Sequence, residues 1–173
     1  MRRLLLPLLF ALAIPAAPAQ AAGCAGANEL PSAANAKQVR GATLCLLNRQ
    51  RRARGLAPLR SNGRLQVAAT RYSRQMVRQR FFDHTAPDGT TFDQRVRAAG
   101  YVSFQTVAEN IAWGSGLQAT PARIVNGWMH SSGHRRNILD GALREIGIGI
   151  APGAPLDVGG QRAATYTTDF GRR

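Results

Sequence analysis

Isoleucine alternates with glycine from Glu145 to Ile150, a two-residue period that sets a β-strand with one apolar face. Ala164 to Phe170, A-T-Y-T-T-D-F, alternates in the same way, so the two segments read as antiparallel neighbours. The Gly- and Pro-rich stretch from Ala151 to Arg162 is the loop between them. The clear periods earlier in the chain are helical. Asn35 to Arg54 carries Val39, Ala42, Leu46 and Leu47 at helical spacing and stops at Gly55-Leu56, with Pro58 close behind. Its Arg49-Gln50-Arg51-Arg52 run reads as a solvated helix end whose cations complement the dipole.

Ser61 or Asn62 caps a second helix that runs to about Arg80, with Leu65, Ala69, Tyr72 and Met76 on its buried face. Thr91 and Gln94 form a capping box for a short third helix, which ends at Ala99 before Gly100. Tyr101 to Trp113 is mixed, and Val102, Phe104 and Val107 suit a strand or an extended loop. Trp113-Gly114-Ser115-Gly116 reads as the loop that closes it. Thr120-Pro121 opens a helix that turns Ile124, Val125 and Trp128 to the core and weakens at Ser131-Ser132-Gly133. His134 to Leu139 forms a last turn. Helices first and strands last define an α+β fold, a small sheet covered by helices.

Residues 1–21 have the order of a secretory signal peptide: Arg2 and Arg3, an apolar run from Leu4 to Ile14, then small residues to Ala21. No later segment is apolar for long enough to cross a membrane, so the mature protein is expected in an extracytoplasmic compartment: periplasm, cell wall or medium. Cys24 and Cys45 are the only cysteines, and in an oxidising compartment they are expected to form a disulfide. The rival reading is lipidation at Cys24, because Ala21-Ala22-Gly23-Cys24 loosely resembles a lipoprotein cleavage site. The net charge of +14 is almost all arginine, with Lys37 the one lysine. Such a domain is drawn to anionic surfaces such as envelope polymers or acidic lipid. Aromatics are not interleaved with the arginines, so sequence-specific nucleic-acid binding is not expected.

Three histidines and one glutamate stand where chemistry is possible. His130 and His134 are four apart, but Ser131 replaces the glutamate of a zinc-protease helix, and Gly133 argues against a helix continuing through the pair. His84 with His134 is the better candidate for a divalent metal such as zinc, although a zinc site needs a third ligand. No cofactor is required by the sequence. Ser131 and Ser132 lie near His134 without a nucleophile elbow and read as cap and turn residues. Glu109 sits in an apolar run, A-E-N-I-A, and beside imidazoles it could accept or deliver a proton. The alternative is a buried polar network in which Glu109 and the histidines satisfy one another.

F-F-D-H at 81–84, A-E-N-I-A at 108–112, W-M-H-S-S-G-H-R-R-N-I-L at 128–139 and I-G-I-G-I at 146–150 resemble a bacterial domain of the CAP superfamily. That group comprises cysteine-rich secretory, antigen 5 and pathogenesis-related proteins. The resemblance covers about Thr43 to Phe170, dividing the chain into a leader (1–21), an N-terminal segment tethered through Cys24 (22–42) and the domain (43–173). It implies an α–β–α sandwich, with a small antiparallel sheet between helical layers, and a polar cleft at His84, Glu109 and His134. Eukaryotic relatives carry a second acid where this chain has Ser131, and His130 could lean toward the cleft in its place. The expected function is a secreted binding domain holding a small ligand, a lipid or a metal at the cell envelope. One alternative is a peptidase or cell-wall hydrolase with Glu109 and His134 as acid–base pair. Another is an interaction module whose cleft is only structural.

Overall fold

The Ile–Gly strand lies at the centre of the architecture. In the computed structural model, which describes residues 23–173, it is β3 (Glu145–Pro152). It pairs antiparallel with β4 (Ala163–Arg172), setting Ile146 opposite Phe170 and Ile150 opposite Tyr166. The other side of β4 pairs antiparallel with β2 (Thr106–Ser115), and a two-residue β1 (Arg60–Ser61) runs parallel to β3. The sheet order is β1-β3-β4-β2, which leaves β2 on one edge. The leader expected over residues 1–21 lies outside the described residues.

The two faces of β3 bury different things. Ile146, Ile148 and Ile150 join Leu47, Trp128, Tyr166 and Phe170 in the main core, beneath α1 (Ala36–Arg52), α4 (Pro121–His130) and α5 (Ser132–Leu139). The glycine face meets α2 (Gly63–Gln79), which lies with α3 (Phe92–Ala98) on the opposite side. A Cβ on Gly147 would land in the backbone of Leu65 and Gln66, and one on Gly149 in that of Ala69 and Thr70. The glycines therefore let a helix backbone rest directly on a strand backbone. The result is an α–β–α sandwich.

Local signals operate as the sequence indicates at most helix ends. The Asn62 side chain accepts from the N–H groups of Arg64 (2.9 Å) and Leu65 (3.3 Å) to start α2. Thr91 and Gln94 form the capping box of α3, and Pro121 occupies the first turn of α4. Cys24 and Cys45 are bonded, with 5.7 Å between their Cα atoms, so the N-terminal segment is tied to α1. The 42/43 boundary drawn from the sequence falls inside α1, whose Val39 is already in the core.

Three expectations are corrected. The Arg49–Arg52 run is not wholly solvated: Arg51 is fully buried. Its guanidinium donates to the carbonyls of Ala57, Ile138 and Asp140 at 2.8 Å and of Leu143 at 3.0 Å, locking the end of α1 to the α5–β3 connection. Five N–H donors in a rigid fork suit that task. Trp113 to Ser115 is strand, not loop, because β4 continues opposite it as far as Ala163. The break between the last two helices falls at Ser131, whose backbone is extended (φ −99°, ψ 124°), while Gly133 is helical within α5.

Candidate functional site

Strand register sets two carboxyl groups side by side. Glu109 of β2 faces Asp169 of β4, and beyond Asp169 the β3 position is Gly147, which has no side chain. The Glu109 side chain is 1% exposed, so each of its oxygens needs a partner. Oε1 lies 2.8 Å from Nδ1 of His84, and Oε2 accepts from Nη2 of Arg95 at 2.7 Å. Arg95, on α3, does more than neutralise. It donates to the carbonyls of Thr90 (2.9 Å) and His84 (3.0 Å) and lies 3.2 Å from the centre of the Tyr72 ring. One guanidinium thus holds the loop that presents His84.

Asp169 is buried, and its Oδ1 has no hydrogen-bond partner among the described residues. Burial, reinforced by the adjacent Glu109, raises its pKa well above that of an ordinary aspartate. Asp169 therefore keeps a proton where an exposed aspartate would be ionised. Like charges at neighbouring strand positions, out of water, cannot both be sustained cheaply.

His134 enters from the other helical layer. Its ring is half-buried, and burial lowers its pKa, with the nearby charge of His84 acting in the same direction. Asn110 donates to the backbone carbonyl of His134 (3.1 Å), and Asn137 donates to the carbonyl of Glu109 (3.1 Å) and to Oδ1 of Asn110 (2.9 Å). Trp128 Nε1 donates to the Ile111 carbonyl at 3.1 Å. Helix side chains thus cap the outward carbonyls of the β2 edge, blocking another strand from adding there.

Of the residues expected from sequence, His84 and Glu109 touch, while His134 contacts neither directly and is close enough to His84 to feel its charge. Glu109 spends its oxygens on His84 and Arg95, so a Glu109–His134 pair is not a direct contact. His130 does not lean in: it is exposed, with Nδ1 2.8 Å from the Asn126 carbonyl of its own helix. The sequence alone does not point to Arg95, Asp169, Asn110 or Asn137. Arg95 is one arginine among many in the sequence, and Asp169 follows threonines on what looks like a polar strand face. The one signal in the sequence is a lone acid within the alternating A-T-Y-T-T-D-F strand.

For a divalent ion the donor set is two imidazoles. No group of three His, Cys, Asp or Glu side chains converges among the described residues, and Arg95 sets a positive charge beside the pair. Catalytic zinc sites use three protein ligands. Two imidazoles fall one protein ligand short of that set.

Two hollows lie at the polar group. On the His134 side a cleft of about 390 Å³ is walled by Phe82, Ile111, Trp113 and Ile124, with Arg123 and Ser131 also lining it. On the other side a hollow of about 350 Å³ is lined by His84, Phe92, Val107, Ala108, Glu109 and Asn137.

Residues 44–168 match the model of the cysteine-rich secretory protein family, CAP, and the chain belongs to that family. Among its relatives is YkwD of Bacillus subtilis, 40% identical over 105 residues, covering 60% of this chain and 39% of YkwD. The Bacillus subtilis membrane protein YlbC is 31% identical over 96 residues, covering 56% of this chain and 27% of YlbC. The chain therefore spans well under half the length of these relatives. An extracellular protein with an SCP domain from Bacillus anthracis shares the fold with a TM-score of 0.62 at 24% identity, over 80% of this chain and 44% of that one. An outer surface protein of Borrelia burgdorferi does so with a TM-score of 0.60 at 25% identity, over 73% and 86%.

Proposed function

We propose that this protein is an extracytoplasmic binding domain whose cleft holds a small amphipathic ligand. The observation that carries the reading is the composition of the 390 Å³ cleft: an apolar wall that ends in the polar group of His134 and Ser131. Pockets of that size with a few convergent polar groups are the usual form of small-molecule sites. Ile111 and Trp113 would cover the apolar part of a ligand, and His134, half-buried and held neutral by burial, could donate or accept one hydrogen bond. Glu109 would serve as the anchor that fixes His84 rather than as a free base, because both of its oxygens are engaged. Support for the compartment comes from the extracellular and surface proteins that share the fold, and no described helix is long and apolar enough to cross a membrane.

The test is organic extraction of protein purified from its own compartment, followed by mass spectrometry. A stoichiometric small molecule, lost in Trp113→Ala, is the expected result. Turnover of peptide or peptidoglycan that Glu109→Gln abolishes, with no ligand recovered, would replace this reading with a hydrolase.

A further inference from the structure

The outer face of α2 carries a row of charge that the cleft does not use. Arg64, Val67, Arg71, Arg74 and Arg78 are all exposed, and at 3.6 residues per turn they fall within an arc of about 80°. From Arg64 to Arg78 the row extends about 21 Å. No acidic residue occurs in α2, nor anywhere between Glu29 and Asp83. The ion pairs among the described residues engage His84, Arg95 and Arg173, so these four arginines have no anionic partner there. The row ends beside Arg80, exposed and in the left-handed region at φ 54°, two residues before Phe82 in the cleft wall.

Like charges three and four residues apart on one helix destabilise it. An external anion would relieve that repulsion. The shape of the row selects the kind of anion. Val67 is its one apolar member, and the apolar side of α2 is turned into the sheet, so nothing here could wedge into a bilayer. Guanidinium forks in single file instead match a linear chain of phosphates, each able to accept two parallel hydrogen bonds. We propose that the outer face of α2 is a docking track for a linear phosphodiester polymer, with its Arg78 end directed at the cleft. The proposal is independent of what fills the cleft.

The probe is poly(glycerol phosphate) of defined length, titrated into the full protein at two salt concentrations. Arg71→Gln/Arg74→Gln/Arg78→Gln is compared with Arg49→Gln/Arg52→Gln/Arg54→Gln, which removes the same charge from exposed positions around the end of α1. Melting temperatures confirm that both variants fold. The α2 variant is expected to bind about tenfold or more weakly and to flatten the dependence of log K on log salt by about two, while the α1 variant stays within about threefold of wild type. Equal losses in the two variants would reduce the effect to net charge and overturn the proposal. Absence of polymer binding by the wild type would do the same. Tighter binding to vesicles containing phosphatidylglycerol than to the polymer, through the same arginines, would assign the face to a bilayer instead.

Discussion

Arg51 and Asp169 show how much a single buried polar group can decide. Arg51 satisfies four carbonyls from three segments, so replacing it with methionine keeps the packing volume and strands those acceptors. Urea denaturation of Arg51→Met should show a loss of about 3 kcal/mol or more, since each unsatisfied buried group costs roughly 1–3 kcal/mol. An unchanged midpoint would mean that the carbonyls find other partners. Asp169 acts through pH. Because its folded pKa lies above its unfolded value of about 3.9, the folded state binds the extra proton, and stability falls as pH rises from there toward the folded pKa. Asp169→Asn removes that fall. Its stability relative to wild type should increase as pH rises above about 4 and level off beyond the folded pKa in denaturation curves; a pH-independent difference would place an ionised aspartate at this position in the wild type.

At the scale of elements, the contact between α2 and β3 is the joint on which the site depends. It sets Tyr72 beneath Arg95 and brings the α2 backbone onto β3 at Gly147, the position paired with Asp169. A methyl group on Gly147 must push two backbones apart, so Gly147→Ala should destabilise by about 3 kcal/mol, the upper range for overpacking. Gly133, by contrast, lies in α5 with open space where a Cβ would go, and Gly133→Ala should be neutral or stabilising by about 0.5–1 kcal/mol. Thermal melts of the two variants check both statements together. Similar losses in the two would mean that the close contact at Gly147 is relieved at little cost. The capping box, the Asn62 cap and the helical faces of α1, α2 and α4 were legible because they depend on neighbours in sequence. Parallel pairing of β1 with β3 was not, since a two-residue strand has no period to read.

For the whole molecule, the Cys24–Cys45 bond closes a loop of 21 residues and fastens the N-terminal segment to the α1–α4 layer. The Ala122 N–H bonds the Ala27 carbonyl at 2.9 Å across that join. In the chain-entropy view the bond stabilises by roughly 3 kcal/mol, so Cys24→Ala/Cys45→Ala should lower stability by about that amount while the far-UV spectrum is kept. Loss of helical signal at room temperature would instead mean that α1 docks only when tethered.

The sequence by itself determined the α+β class, the helix caps, the disulfide partners, the two terminal strands and the residues His84, Glu109 and His134 as a potential site. The class, caps and strands follow from periods and turns within a few positions of the chain, the disulfide from a cysteine count of two, and the grouping of His84, Glu109 and His134 from the family resemblance. Only the tertiary structure decided that Glu109 is held by Arg95, that Asp169 stands beside it, that Arg51 is interior and that His130 is not in the cleft. Those facts depend on sheet register and on which helix covers which strand. Register is a long-range property, and in β4 it aims an apparently polar face at α2, which buries it.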